Sequence, residues 1–171
     1  MLKQALALFM LLAPMQSAIA QDDALADLLT KRQDYIALPL QAMPTGQLQL
    51  AMTVNRVEGM FILDTGATAT TLDINVKRKF RLQSERFGGV VAGAGGAGMP
   101  LEKTSRPVRI DIGTLRLDDR DIYLADLDHV NGALGEQGID PVDGVIGADL
   151  LDALDAVIDY RAQVLYLHPM P

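Results

Sequence analysis

The chain has 171 residues, 49% of them hydrophobic and 22% charged, and carries a formal net charge of -7. That balance fits one globular domain and excludes a disordered or fibrous chain. An acidic chain without a Lys/Arg cluster is no nucleic-acid binder, and the absence of Cys, with only His129 and His168 present, excludes thiol chemistry, disulfides and a His- or thiolate-rich metal site.

Residues 1–20 read as a secretory signal. Lys3 is their only charge, ALALFMLLA is a short apolar core, and Ala18-Ile19-Ala20 is a small-x-small cleavage site before Gln21. The apolar run is short for a spanning helix; an uncleaved N-terminal anchor is the alternative. No Cys follows it, so a lipid anchor on cysteine is excluded. Cleavage removes one Lys and no acid, taking the net charge from -7 to -8. The expectation is an exported, periplasmic protein with no membrane span after cleavage.

Residues 21–45 are expected to form a helix, a spacer or a removable pro-segment. Within 22–33, Leu25, Leu28 and Leu29 stand at helical spacing behind two acids. The period then changes to two. Leu48, Leu50, Met52 and Val54 alternate with Gln49, Ala51 and Thr53, which predicts a half-buried strand. NRVEG (55–59) is read as a turn and MFIL (60–63) as a more fully buried strand.

The apolar spacing in LDINVKRKFRL (72–82) predicts one short helix. Strands are expected at Val108–Ile112, around Leu115 and Leu117, and over 122–127. LGEQGIDPVDG (134–144) is read as loop, GVIG (144–147) as a short buried strand bounded by glycines, and ADLLDAL (148–154) as a short helix. AVIDY and QVLYLH close a hairpin around Arg161-Ala162. Many short strands with few helices predict an all-β sandwich or barrel of one domain.

GAGGAG (93–98) fits the dinucleotide pattern G-x-G-x-x-G. That pattern has meaning only between a strand and a helix whose N-terminus faces a pyrophosphate, and here Met99-Pro100 and strand-like residues follow. It is rejected in favour of a glycine-rich hairpin whose backbone can lie close against another chain; a disordered surface loop is the alternative.

FILDTGATATTLD (61–73) brings Asp64 to the end of a buried strand and surrounds it with Thr65, Thr68, Thr70 and Thr71. A carboxylate so placed is costly unless it is hydrogen-bonded or shares a proton. An Asx-type turn capping the next segment accounts for an isolated D-T-G. The flanking residues add more: the run resembles the active-site motif of aspartic proteases, above all the single-lobed, retropepsin-like bacterial group of clan AA. GVIGADLLDAL (144–154) is similar to the second signature of that family, VIDYRAQVLYL (157–167) to its closing strands, and GGVVAGAGGAG (88–98) to its flap. The resemblance covers about 46–168.

That resemblance implies a closed, single-lobed β-barrel with one or two short helices, spanning 46–168. It implies an aspartic endopeptidase acting on a peptide or protein substrate with no metal or other cofactor. Asp64 is the catalytic residue it implies, supported by Thr65, Gly66, Ala67 and Thr68, with Gly93, Ala94, Gly95 and Gly96 at the flap and Gly144, Val145, Ile146 and Gly147 as the second motif. The reaction needs two carboxylates at one water, and two acids about 3 Å apart share one proton. One D-T-G per chain therefore implies a homodimer, with Thr65 bracing the pair across the axis and Gly66 touching the substrate backbone. Viral members carry an acid soon after D-T-G-A where this chain has Thr68-Ala69, and the flap lacks the Tyr of two-lobed enzymes. Asp73, Asp149 and Asp159 are read as turn, helix-start or strand-end residues, and both histidines as surface residues. The alternative reading is a non-catalytic peptide-binding or envelope interaction module on the same fold.

Overall fold

The computed structural model describes residues 24–31, 33–92 and 98–168, with the backbone alone at 89–92, 98 and 99. Residues 24–31 form a helix (α1) that buries Leu29 and carries an Asp27–Lys31 pair on its exposed side. Strands β1 (Ile36–Pro39) and β2 (Gln41–Ala42) follow within the 21–45 segment. β1 pairs antiparallel with β13 (Val164–Leu167), which also takes β12 (Val157–Asp159), giving a three-stranded sheet in the order β1-β13-β12. Among the described residues no helix is long and apolar enough to cross a membrane.

Among the described residues the second sheet has ten strands. β3 (Leu48–Val54) shows the expected alternation, with Leu48, Leu50, Met52 and Val54 all buried. It turns at Asn55-Arg56, both with positive φ (49° and 67°), into β4 (Val57–Leu63). This is a two-residue hairpin whose twist suits the flanking strands. β4 thus begins at Val57 and not at Met60, because the turn needs only two of the five residues assigned to it. β4 is apolar at successive positions because both its faces are covered. Phe61 and Leu63 enter the main core, while Ile62 lies in a second cluster with Met43, Leu134 and Val142. Leu134 belongs to a helix (α2, Asp128–Gly135) that the apolar pattern did not reveal.

The predicted helix over 72–82 is absent. Thr71–Asp73 is strand β5, and only a 3₁₀ turn, Ile74–Val76, follows. Leu72 is fully buried between β10 (Tyr123–Ala125) and β11 (Gly144–Ile146), so the sheet claims the residues that would begin a helix. Asp73 then accepts the Asn75 N–H at 3.0 Å as a cap, and Arg81 closes the turns at φ 56°.

A long hairpin, β6 (Ser84–Ala92) with β7 (Gly98–Thr104), comes next, then β8 (Val108–Ile112) and β9 (Leu115–Arg120). The strand path is β6-β7-β10-β5-β11-β4-β3-β8-β9, with β2 beside β3. It is open, and the expected closed barrel is not formed. Its last strand, β9, exposes Arg116, Asp118 and Asp119, charges that discourage pairing along a free edge. Helix α3 (Ala148–Ala153) leaves β11 directly and buries Leu150 and Leu151 against the core.

Candidate active site

The site begins with the pairing of β4 and β11. These run parallel, with Phe61, Ile62 and Leu63 opposite Gly144, Val145 and Ile146, and the Asp64 N–H continues the ladder to the Ile146 carbonyl at 3.0 Å. The chain then reverses. Gly66 N–H donates to Asp64 Oδ1 at 2.9 Å and Ala67 N–H to the Asp64 carbonyl at 3.2 Å. This is the geometry of an Asx turn. A Cβ at Gly66 would crowd Asp64 Oδ1 at 3.2 Å. Asp64 itself is half-buried, at the mouth of the sheet and not inside it, and Oδ2 has no hydrogen bond among the described residues.

Beyond the turn the chain wraps around the end of β11 and returns as β5, antiparallel to it. The crossing is so close that two positions admit only glycine. A Cβ at Gly144 would lie 2.4 Å from the Thr71 carbonyl oxygen, and one at Gly147 would lie 2.5 Å from the Ala69 carbonyl carbon and 2.8 Å from Thr70 N. Real side chains cannot share that space with a backbone. Two further contacts lock the crossing: Ala148 N–H donates to the Ala67 carbonyl at 2.8 Å, and Gly147 N–H donates to Thr70 Oγ1 at 3.1 Å.

Asp149, in the first turn of α3, closes the arrangement. Its Oδ1 accepts from Thr70 N–H at 2.7 Å, from Thr70 Oγ1 at 2.8 Å and from Leu150 N–H at 2.8 Å. Sequence reasoning placed Asp149 at a helix start, which it occupies, but gave it no part in holding the D-T-G loop. The only sequence signal was a run of hydroxyls after D-T-G and an acid after the second motif. Asp73 is buried and bound by Asn75 and Asn131, and Asp159 accepts Arg161 and Ala162 N–H in a turn. His129 is exposed. His168 is half-buried, with its ring edge-on to Tyr35 at 5.1 Å.

Thr65 and Thr68 are exposed on either side of the turn, and Ala67 is half-buried. Thr65 borders a depression of about 510 Å³ whose other walls include Tyr35, Leu151, Ala156 and Ile158. The arms of the glycine-rich hairpin are paired from Ser84–Thr104 up to Ala92–Gly98, with an irregularity between Phe87 and Val90. Gly93, Ala94, Gly95 and Gly96 lie outside the described residues. At the base of the hairpin Glu102 accepts from Lys77 and Ser84, and the Lys77 hydrogen bond above all holds its carboxyl below the usual range. Among the described residues no group of His, Asp and Glu is placed to hold a metal.

The fold and this turn define a class. The family model for aspartyl proteases matches residues 50–150, more than half of the chain. The chain belongs to the aspartyl protease family, and its fold is of the retropepsin-like kind. It is similar to the crystal structure of a retropepsin-like aspartic protease from Rickettsia conorii, at 16% identity and a TM-score of 0.53, over 78% of this chain and 90% of that one. Two further solved structures match at a TM-score of 0.47: EIAV protease complexed with the inhibitor HBY-793 (20% identity, 62% of this chain, 86% of that one) and the retroviral protease-like domain of Ddi1 from Leishmania major (16%, 73% and 94%). No curated protein matches the chain significantly.

Proposed function

We propose that the protein is an aspartic endopeptidase that works as a homodimer outside the cytoplasm. One observation carries the reading. Each chain offers one Asp64 carboxylate at the mouth of the sheet, with one oxygen held by Gly66 N–H and the other without a partner among the described residues. A family that needs two such acids at one water can find the second only on another copy. The exposure of Thr65 and the adjoining depression lined by Tyr35, Leu151 and Ile158 support a second chain docking beside the turn.

In the dimer the two Asp64 carboxyls share one proton. The ionised carboxylate takes a proton from water while the protonated one gives its proton to the scissile carbonyl oxygen. The water oxygen bonds to the carbonyl carbon. Collapse of that adduct breaks the C–N bond as the amine nitrogen takes the proton drawn from water by the first carboxyl and a diol hydroxyl returns its proton to the second. The test pairs native mass measurement with cleavage of a denatured protein at acidic pH. A dimer whose cleavage is lost in Asp64→Asn is expected. A strict monomer, or cleavage retained in Asp64→Asn, would sink the reading.

A further inference from the structure

Among the described residues every half-buried Lys or Arg is paired with a carboxylate, with one exception. Lys77 meets Glu102, Lys103 meets Asp121 at 2.7 Å, and Arg109 meets Asp111 at 2.8 Å. Arg120 is half-buried and its guanidinium has no hydrogen bond or ion pair among the described residues.

A bulge puts it there. β8 and β9 pair Ile110 with Leu117 but Val108 with Arg120, so Asp118 and Asp119 together stand opposite Arg109. Asp119 adopts φ 58°, a left-handed geometry that Asp, with Asn and glycine, accepts more readily than other residues. Strict alternation from buried Leu117 would turn Arg120 outward. The extra residue turns it instead onto the face of its partner Val108, which is buried.

On that face Arg120 lines a cleft of about 500 Å³ with Thr68, Asp119, Tyr123 and Asp149. Thr68 is four residues from Asp64, which a chain spans in at most about 14 Å. The other charges of the cleft are already engaged or screened. Asp121 is paired with Lys103, Asp149 Oδ1 takes three donors, and Asp119 is exposed to water. Among the lining residues Arg120 alone brings a cation, uncommitted and in the planar fork that suits a carboxylate, and the Thr68 and Tyr123 hydroxyls stand on the same cleft.

We infer that this cleft is a subsite for an acidic side chain, Glu or Asp, standing a few residues from the scissile bond of a bound peptide, and that Arg120 determines that preference. The inference rests on the endopeptidase reading for the peptide, but the cleft's chemistry can be measured without turnover. The full chain carrying Asp64→Asn is titrated with fluorescent octapeptides that place Glu, Gln or Lys at each position in turn. At one position Glu binds about tenfold more tightly than Gln. That preference vanishes with Arg120→Ala, turns toward Lys with Arg120→Glu, and survives in part with Arg120→Lys. An unchanged profile in Arg120 variants that melt like their parent overturns the inference, as does equal binding of Glu and Gln at every position or no binding at all. If Arg120→Glu unfolds, Arg120→Gln decides. The two readings fail separately: acid-selective binding without cleavage by the unsubstituted protein removes the endopeptidase and keeps the subsite, and cleavage without acid selectivity does the reverse.

Discussion

Gly147→Ala adds one methyl group at the tightest point of the site. Its Cβ would stand 2.5 Å from the carbonyl carbon and 2.7 Å from the carbonyl oxygen of Ala69, and 2.8 Å from Thr70 N. All three are backbone atoms, so no side chain can swing aside, and the 67–70 segment must move. Overpacking of this kind costs about 1–3 kcal/mol, which in a domain of this size lowers Tm by roughly 2–12 °C. The moved segment follows directly on the Asp64 turn and is tied to it through the Ala67 N–H bond to the Asp64 carbonyl. Catalysis should therefore fall further than stability, by about a hundredfold for a displacement near 1 Å. Gly132→Ala is the matched control. Gly132 lies in α2 with nothing within 4 Å of its would-be Cβ, and the exchange should stabilise by about 0.5–1 kcal/mol. Circular-dichroism melts and cleavage of a reporter peptide read both effects. A Gly147→Ala protein that melts and cleaves like the parent would show that the crossing over β11 is looser than these distances require.

Asp64→Asn should abolish cleavage while leaving the melting temperature unchanged or raised, because in the proposed dimer it removes the repulsion between paired carboxylates; a melt and a progress curve on one preparation check both. Cleavage should be fastest at acidic pH and fall as the shared proton leaves, so a rate that keeps rising into alkaline pH on a non-titrating substrate contradicts the dyad. Stability should show the opposite dependence. Glu102, hydrogen-bonded by Lys77 and Ser84, and Asp111, hydrogen-bonded by Arg109, both have folded values below their ordinary 4.5 and 3.8. Their contribution is thus complete above those values and is lost as pH falls through the lower, folded ones. Urea midpoints at falling pH should decline, and decline less steeply in Glu102→Gln; equal slopes would remove Glu102 from the account.

Where one face of a strand meets the core and the other meets water, the sequence was easy to read. β3 and β8 alternate cleanly, and their bounds follow from that alternation. Reading failed where a second layer covers the outer face. The run MFIL reports burial on both sides of β4 but does not say what covers Ile62, and α2, which does, has only Leu134 as a buried anchor. The segment 72–82 misled for the converse reason. Its apolar residues have helical spacing, yet Leu72 is held between two strands whose residues lie some fifty and seventy positions further on. Local periodicity cannot see such partners. Closure of the barrel failed similarly, because whether β9 is a free edge depends on which strands reach it.

The site divides along the same line. The Asp64 turn is made by neighbours, Gly66 N–H on Asp64 Oδ1, so a five-residue motif could announce it. What holds that turn in place is not local. Thr70 and Asp149 are 79 positions apart, and Thr70 and Gly147 are 77 apart. In the sequence Gly147 is one of many glycines and Asp149 one of many acids. Only the threading of β11 between β4 and β5 gives them work: it forces two backbones together at Gly144 and Gly147 and leaves Thr70 N–H with no strand partner. Asp149 supplies that partner, and Thr70, being buried, cannot take water instead. The D-T-G motif is therefore short because the second motif carries its support. Substitutions at 144–149 should disturb chemistry at Asp64 without touching it.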